Sequence, residues 1–303
     1  MPPQEGLQGY WQDLAEPDFK IGVEGSRLLI SFGGRVREVD EILAVTGEHA
    51  KVCKIGREAK LGLQRKGDFL IFQDETRGKV RKLERLPQEP KGLSLSFSIP
   101  EPMPVPEVKM LHIQGEVYRR EEAEQGSMRL RRRPSAESPL PWLGSRLSAE
   151  PEPLPTDREF LTAQRTTENT EFMRQLLAEV GWIDVPRFGY SASREAFLLV
   201  QHSWDVQLLT AALPRVKKDV DSGQMESDAY ALLYDRLQLA LGRPQRYGSQ
   251  VVSDGQEGVV VLPVEDQSKI EELRKQLGLI SLKEYVGVLG SPEVKLSKDC
   301  SGR

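Results

Sequence analysis

The chain is poor in the residues that build disulfide and metal sites. Cysteine occurs twice in 303 residues, at Cys53 and Cys300, which excludes a disulfide scaffold and a four-cysteine zinc site. The three histidines are His49, His112 and His202. No HisXxxXxxXxxHis or CysXxxXxxCys spacing accompanies them, so neither a metal nor a cofactor is expected. No apolar run approaches the ~18 residues of a membrane span. A P-loop and a GlyXxxSerXxxGly nucleophile elbow are also missing. Excess charge of one sign is lacking too. The 42 basic and 46 acidic side chains leave a net charge of −4, which argues against a general nucleic-acid binder. The opening MPPQEGLQGYW has neither the basic nor the apolar region of a signal peptide. It reads as cytoplasmic, or as a periplasmic or secreted chain whose leader was removed.

What is present divides the chain in two, as its length predicts. Residues 1–118 read as antiparallel β. The runs Phe19–Val23, Arg27–Phe32, Glu41–Val45, Ala50–Ile55, Ala59–Gln64 and Phe69–Gln73 are short and rich in Val, Ile, Leu and Phe. Gly33–Gly34 and Lys66–Asp68 are turn signals between them. Strands at a spacing of roughly ten residues predict a barrel or a sandwich. Leu93–Ile99 and Val108–Tyr118 read as two further strands, separated by a Pro-rich segment. Cys53 falls in a β run and reads as core.

Residues 119–155 are rich in Pro, Ser, Arg and Glu without periodicity and read as a linker. The acidic patch Glu121–Glu124, the ArgLeuArgArgArg cluster at 129–133 and Trp142 lie in it. Residues 156–290 read as mainly helical with one hairpin at Gln250–Leu262, and 291–303, with Cys300, as a loose exposed tail. The expected helices run from a Thr156/Glu159 capping box to about Val180 with a break near Thr166–Thr167. They continue over Arg194–Leu213, Asp228–Leu241, Asp266–Leu277 and Ser281–Leu289. The fold class is therefore α+β in two domains.

Two helices carry polar residues that a solvated surface does not explain. Arg194–Leu213 is apolar nearly all round, yet contains His202 and Asp205, three apart on one helical face. Asp228–Leu241 is equally apolar, yet contains Asp235 and Arg236. Buried charge costs several kcal/mol unless paired, so His202 and Asp205 are the natural partners of Asp235 and Arg236. The loop after the second helix, ArgProGlnArgTyrGlySerGln, places Gln245, Tyr247 and Gln250 where they can turn back toward Asp235, with Gly248 allowing close approach. Three readings fit. In an enzyme, His202 is a general base tuned by Asp205 or Asp235. Arg236 then binds an anionic group, and Gln245, Tyr247 and Gln250 orient a polar or anionic substrate, in hydrolysis or group transfer. In a binding module, the same residues recognise a small ligand. In a structural protein, they form a polar core network. The oligomeric state is not legible.

The C-terminal half also resembles a known family. Gly181–Trp182, Gly189 with TyrSerAlaSer, AlaPheLeuLeuValGlnHis at 196–202, TyrAspArg at 234–236 and GlyArgProGlnArgTyrGlySerGln at 242–250 are similar to a bacterial family described only as a domain of unknown function, number 6624. GlyLeuIleSerLeuLysGluTyr at 278–285 fits its ending. The resemblance spans roughly residues 156–287. This chain departs from the pattern in HisSerTrpAsp, where Ala commonly follows the His, and in Ile183, where Pro commonly stands. The resemblance implies that His202, Asp235, Arg236, Gln245, Tyr247 and Gln250 belong to the family's signature, and it implies no activity. At the other end, Gly9-Tyr10-Trp11 resembles the GlyXxxTrp entry of a lipocalin-like barrel, where the Trp plugs the base and side chains fill the interior.

Overall fold

A computed structural model describes residues 7–32, 35–46, 49–54, 57–74, 79–90, 93, 96–129, 157–253 and 258–297. Gly33–Gly34, the Arg131–Arg133 cluster, Trp142, Thr156 and Cys300 lie outside them, as does the Cys53 side chain.

The N-terminal half is a closed antiparallel barrel of eight strands in sequence order. They are β1 (Gly9–Asp13), β2 (Lys20–Glu24), β3 (Arg27–Phe32), β4 (Arg35–Thr46), β5 (His49–Lys54), β6 (Arg57–Lys66), β7 (Phe69–Asp74) and β8 (Lys79–Leu86). Closure is made by β1 on β8, with Tyr10 opposite Leu86 and Asp13 opposite Leu83. The period-2 alternation of a strand sends one set of side chains inward. Trp11, Ile21, Val23, Leu28, Val52, Leu61, Leu63, Leu70, Phe72 and Leu83 pack together there. Trp11 is fully buried and its indole N–H donates to the Leu7 carbonyl at 3.3 Å.

The outer face is not all solvated. Leu29, Val36 and Val39 point away from the barrel and join the core of the helices. The Leu93–Ile99 run forms no strand among its described residues. Leu93 and Ile99 instead insert into that same helical core. An apolar run needs only burial, and here helices rather than a sheet provide it.

The helical half comprises seven helices among the described residues. They are α1 (Glu107–Arg129), α2 (Asp157–Val180), α3 (Val185–His202), α4 (Val206–Asp221), α5 (Ser227–Ala240), α6 (Ile270–Gln276) and α7 (Leu282–Val288). A small sheet of order β11-β10-β9 is built from the expected hairpin β9 (Val251–Ser253) and β10 (Val259–Val261), with β11 (Lys295–Leu296). Residues 295–296, expected to be loose, pair in parallel with β10.

Three expectations about helices are corrected. Val108–Tyr118 is helix, not strand, and α1 continues to Arg129 through what read as linker. Its true period is Ile113, Val117, Glu121, Glu124, all buried. Two of those four positions are acidic, which hides the 3.6-residue repeat. The Pro106 carbonyl accepts the first helical bond from Met110. Second, α2 runs unbroken through Thr166–Thr167. Third, residues 194–213 are not one helix. The Asp184 carboxylate caps the first turn of α3, accepting from the Arg187 N–H; α3 kinks at Gly189, φ 77 and ψ 162, and ends at His202. The chain turns through Ser203 and Trp204, the latter in the left-handed region at φ 52. Asp205 then starts α4 as its N-cap, its carboxylate accepting from the Leu208 N–H at 3.0 Å. A local Asp-to-backbone bond outcompetes helix continuation at such a residue. Pro214 sits inside α4 instead of ending it.

Candidate functional site

The helix break separates the residues expected to act together. Asp205 is fully buried and faces α2, where Arg174 donates to it at 2.9 Å. Arg174 also reaches Gln207 at 3.0 Å, and its guanidinium lies over the Phe97 ring. Asp205 therefore neither shares a face with His202 nor pairs with Arg236.

Asp235 also points elsewhere. It is fully buried on α5, and its carboxylate gathers the backbone of the following loop. It accepts from the N–H of Arg246 at 2.8 Å, of Tyr247 at 3.0 Å and of Ser249 at 2.9 Å. Burial pushes its carboxyl above the usual range, and those N–H donors pull the other way. Tyr247 packs edge-on to Tyr234 and Tyr230 and presents its carbonyl to the buried Arg274 guanidinium. Gly248 takes φ 67, and a Cβ there would lie 2.8 Å from Ile270 Cδ1, so the loop closes only with glycine at this point. Gln245, fully buried, donates to the carbonyls of Gln250 and Leu262 at 2.9 and 2.8 Å and accepts from the Gln250 N–H at 2.8 Å. Gln245 and Asp235 thus hold the loop in shape.

Gln250 connects the loop to Arg236. Its Oε1 accepts from Arg236 Nε at 3.1 Å and Nη2 at 2.9 Å. Arg236 Nη1 donates to the Gln201 carbonyl at 2.8 Å, next door to His202. The guanidinium lies 4.7 Å from the Trp204 ring centre, within cation–π range.

His202 closes α3 within reach of a partner that the sequence does not suggest. Its Nδ1 stands 3.7 Å from the Glu124 carboxylate on α1. Glu124 is 1% exposed, accepts from Asn169 at 2.9 Å and from Thr166 at 3.4 Å, and feels the charge of Arg236. Burial pushes the Glu124 carboxyl above its usual range; the Asn169 and Thr166 bonds and Arg236 oppose this. His202, Glu124 and Arg236 therefore form one electrostatic unit at the junction of α1, α3 and α5, with Trp204 beside them. The His202 side chain is 13% exposed, so the unit reaches the surface. Sequence reasoning missed Glu124, Asn169 and Trp204. The available signal was the three-residue spacing of Glu121 and Glu124, which puts both on one helical face.

Among the described residues, no group of three or more His, Cys, Asp or Glu is placed to hold a metal ion. No helix there is long and apolar enough to cross a membrane. Residues 152–294 match the model of a family of unknown function, DUF6624. No curated protein and no solved structure matches.

Proposed function

We propose that the C-terminal half, residues 152–294 of which carry the domain of that family, performs proton-transfer chemistry at His202 on a polar or anionic substrate, in a hydrolysis or group transfer. The observation that carries this reading is the His202–Glu124 contact beside Arg236. A buried carboxylate 3.7 Å from one ring nitrogen favours the charged imidazolium that a general base becomes when it takes up a proton. Arg236 supplies positive charge for an anionic group or a developing oxyanion. Gln250 positions Arg236. Asp235, Gln245 and Tyr247 hold the loop that carries Gln250, and Asp205 holds the start of α4.

A second reading is a non-catalytic recognition site or polar core network. It is favoured by Arg236 donating to both Gln250 and the Gln201 carbonyl, as a structural guanidinium does. One comparison separates the two. Wild type, His202→Asn and Arg236→Ala are melted and assayed against a panel of p-nitrophenyl carboxylate and phosphate esters. The proton-transfer reading expects His202→Asn to melt within about two degrees of wild type and to lose turnover by roughly a hundredfold or more. A loss of about 2–5 kcal/mol at His202, with no ester turned over by wild type, sinks it in favour of the network.

A further inference from the structure

α1 and α3 run side by side in the same direction. Gln114 donates to the Phe188 carbonyl at 2.6 Å, Glu121 and Glu195 are electrostatic neighbours, and Glu124 stands 3.7 Å from His202. Residues of the two helices line a cleft of about 550 Å³, among them Leu111, Gln114, Tyr118, Phe188, Tyr190 and Glu195. Gly115 and Gly189 also line it, and a Cβ at either would meet nothing within 4 Å, so two missing side chains keep it open. Leu111, Tyr118 and Tyr190 are 60%, 53% and 45% exposed. Large apolar side chains left in water around a concave surface mark a binding site more often than a surface accident.

Glu195 is the charged residue of the lining. Its neighbour Glu121 is 8% exposed. Two adjacent carboxylates repel, which favours a cation at the cleft. Arg194, a cation beside Glu195, also lies 3.7 Å from Asp228 on α5, so its charge is divided between two carboxylates.

We propose that this cleft binds a small organic cation, an alkyl- or arylalkyl-ammonium, whose charged end pairs with the Glu195 carboxylate. An ammonium brings donors and positive charge to that carboxylate, and the exposed Tyr118 and Tyr190 rings pack against its alkyl or aryl part. The site is distinct from His202 and does not depend on that residue's role.

Burial and Glu121 push the Glu195 carboxyl from 4.5 up to about 7. The folded chain therefore holds a proton that the unfolded chain releases near pH 4.5, and this contribution to stability falls as pH rises across that window. Glu195→Gln is expected to melt above wild type at pH 8 and to lose that advantage at pH 4.

The decisive experiment is calorimetric titration of the full chain with 2-phenylethylammonium and with neutral 2-phenylethanol, at pH 6 and pH 8, in buffers of different ionisation enthalpy. The expected result is binding of the amine with release of close to one proton at pH 6, and affinity about tenfold higher at pH 8, where the proton no longer competes. Glu195→Gln is expected to lose about tenfold or more at pH 8, and Tyr190→Ala a smaller amount. Equal binding of amine and alcohol would overturn the proposal, since the cleft would then be reading only apolar surface. So would amine binding that Glu195→Gln leaves unchanged, or no binding of the amine at 10-millimolar order concentrations with Tyr118→Leu equally silent.

Discussion

Asp235→Ala should cost about 3–5 kcal/mol of folding stability, a fall on the order of 10 °C in melting temperature. The carboxylate is the common acceptor for the N–H groups of Arg246, Tyr247 and Ser249, and Tyr247 and Ser249 are 8% and 7% exposed. Removing it orphans donors that water cannot reach, each worth about 1–3 kcal/mol. It also leaves a cavity in a fully buried place. Asp235→Asn keeps the volume but turns an N–H₂ toward those donors, so it should fall between wild type and alanine. Denaturant midpoints, with unchanged slopes, measure the loss. Had Asp235 been kept for chemistry at the expense of packing, its removal would leave stability unchanged or improved. A variant melting within two degrees of wild type would therefore return it to the list of reacting groups.

Asp205→Ala should cost a similar amount, about 3–4 kcal/mol, for a different reason. The residue caps α4 through Leu208 and neutralises Arg174. Losing the cap costs about 1 kcal/mol. Stranding a partly buried guanidinium costs more, because the pair has already given up its hydration. The Arg174 side chain is 18% exposed, so solvent recovers a part of that. A double-mutant cycle with Arg174→Met isolates the pair. Arg174→Met with Asp205→Ser, which keeps a capping oxygen, should recover most of the loss. If the double variant is no better than Asp205→Ala, the ion pair is not what holds α2 against α4.

Both residues stood out in the sequence as charges in apolar company, and both are indeed enclosed. Their partners were harder to read. A capping Asp and a mid-helix Asp look alike when apolar residues continue on both sides, as they do from Ala196 to Leu213. The break comes from Trp204 at positive φ, a conformation with no composition signal. The loop was more legible. Gln245 and Gln250 flank Tyr247 and Gly248 directly after an apolar helix, and they do turn back to it. They do so by bonding each other and Arg236 rather than Asp235. The antiparallel strands were plain because alternation in Ile21/Val23, Leu61/Leu63 and Leu70/Phe72 is local, whereas the choice of barrel over sandwich rests on the distant pairing of β1 with β8. α1 was not, because half its buried stripe is glutamate. Glutamate at a core position reads as surface until the histidine and the second carboxyl it faces are known, and those come from a distant part of the chain.

Glu121 and Glu124 precede residue 152, where the family match begins. The matched region thus holds the imidazole of His202 and the carboxyl of Glu195, while the carboxylates that face them stand on α1, outside it. Two separate stretches of chain must dock before the histidine has its charged neighbour. The matched region expressed by itself would carry the imidazole without the charge that flanks it.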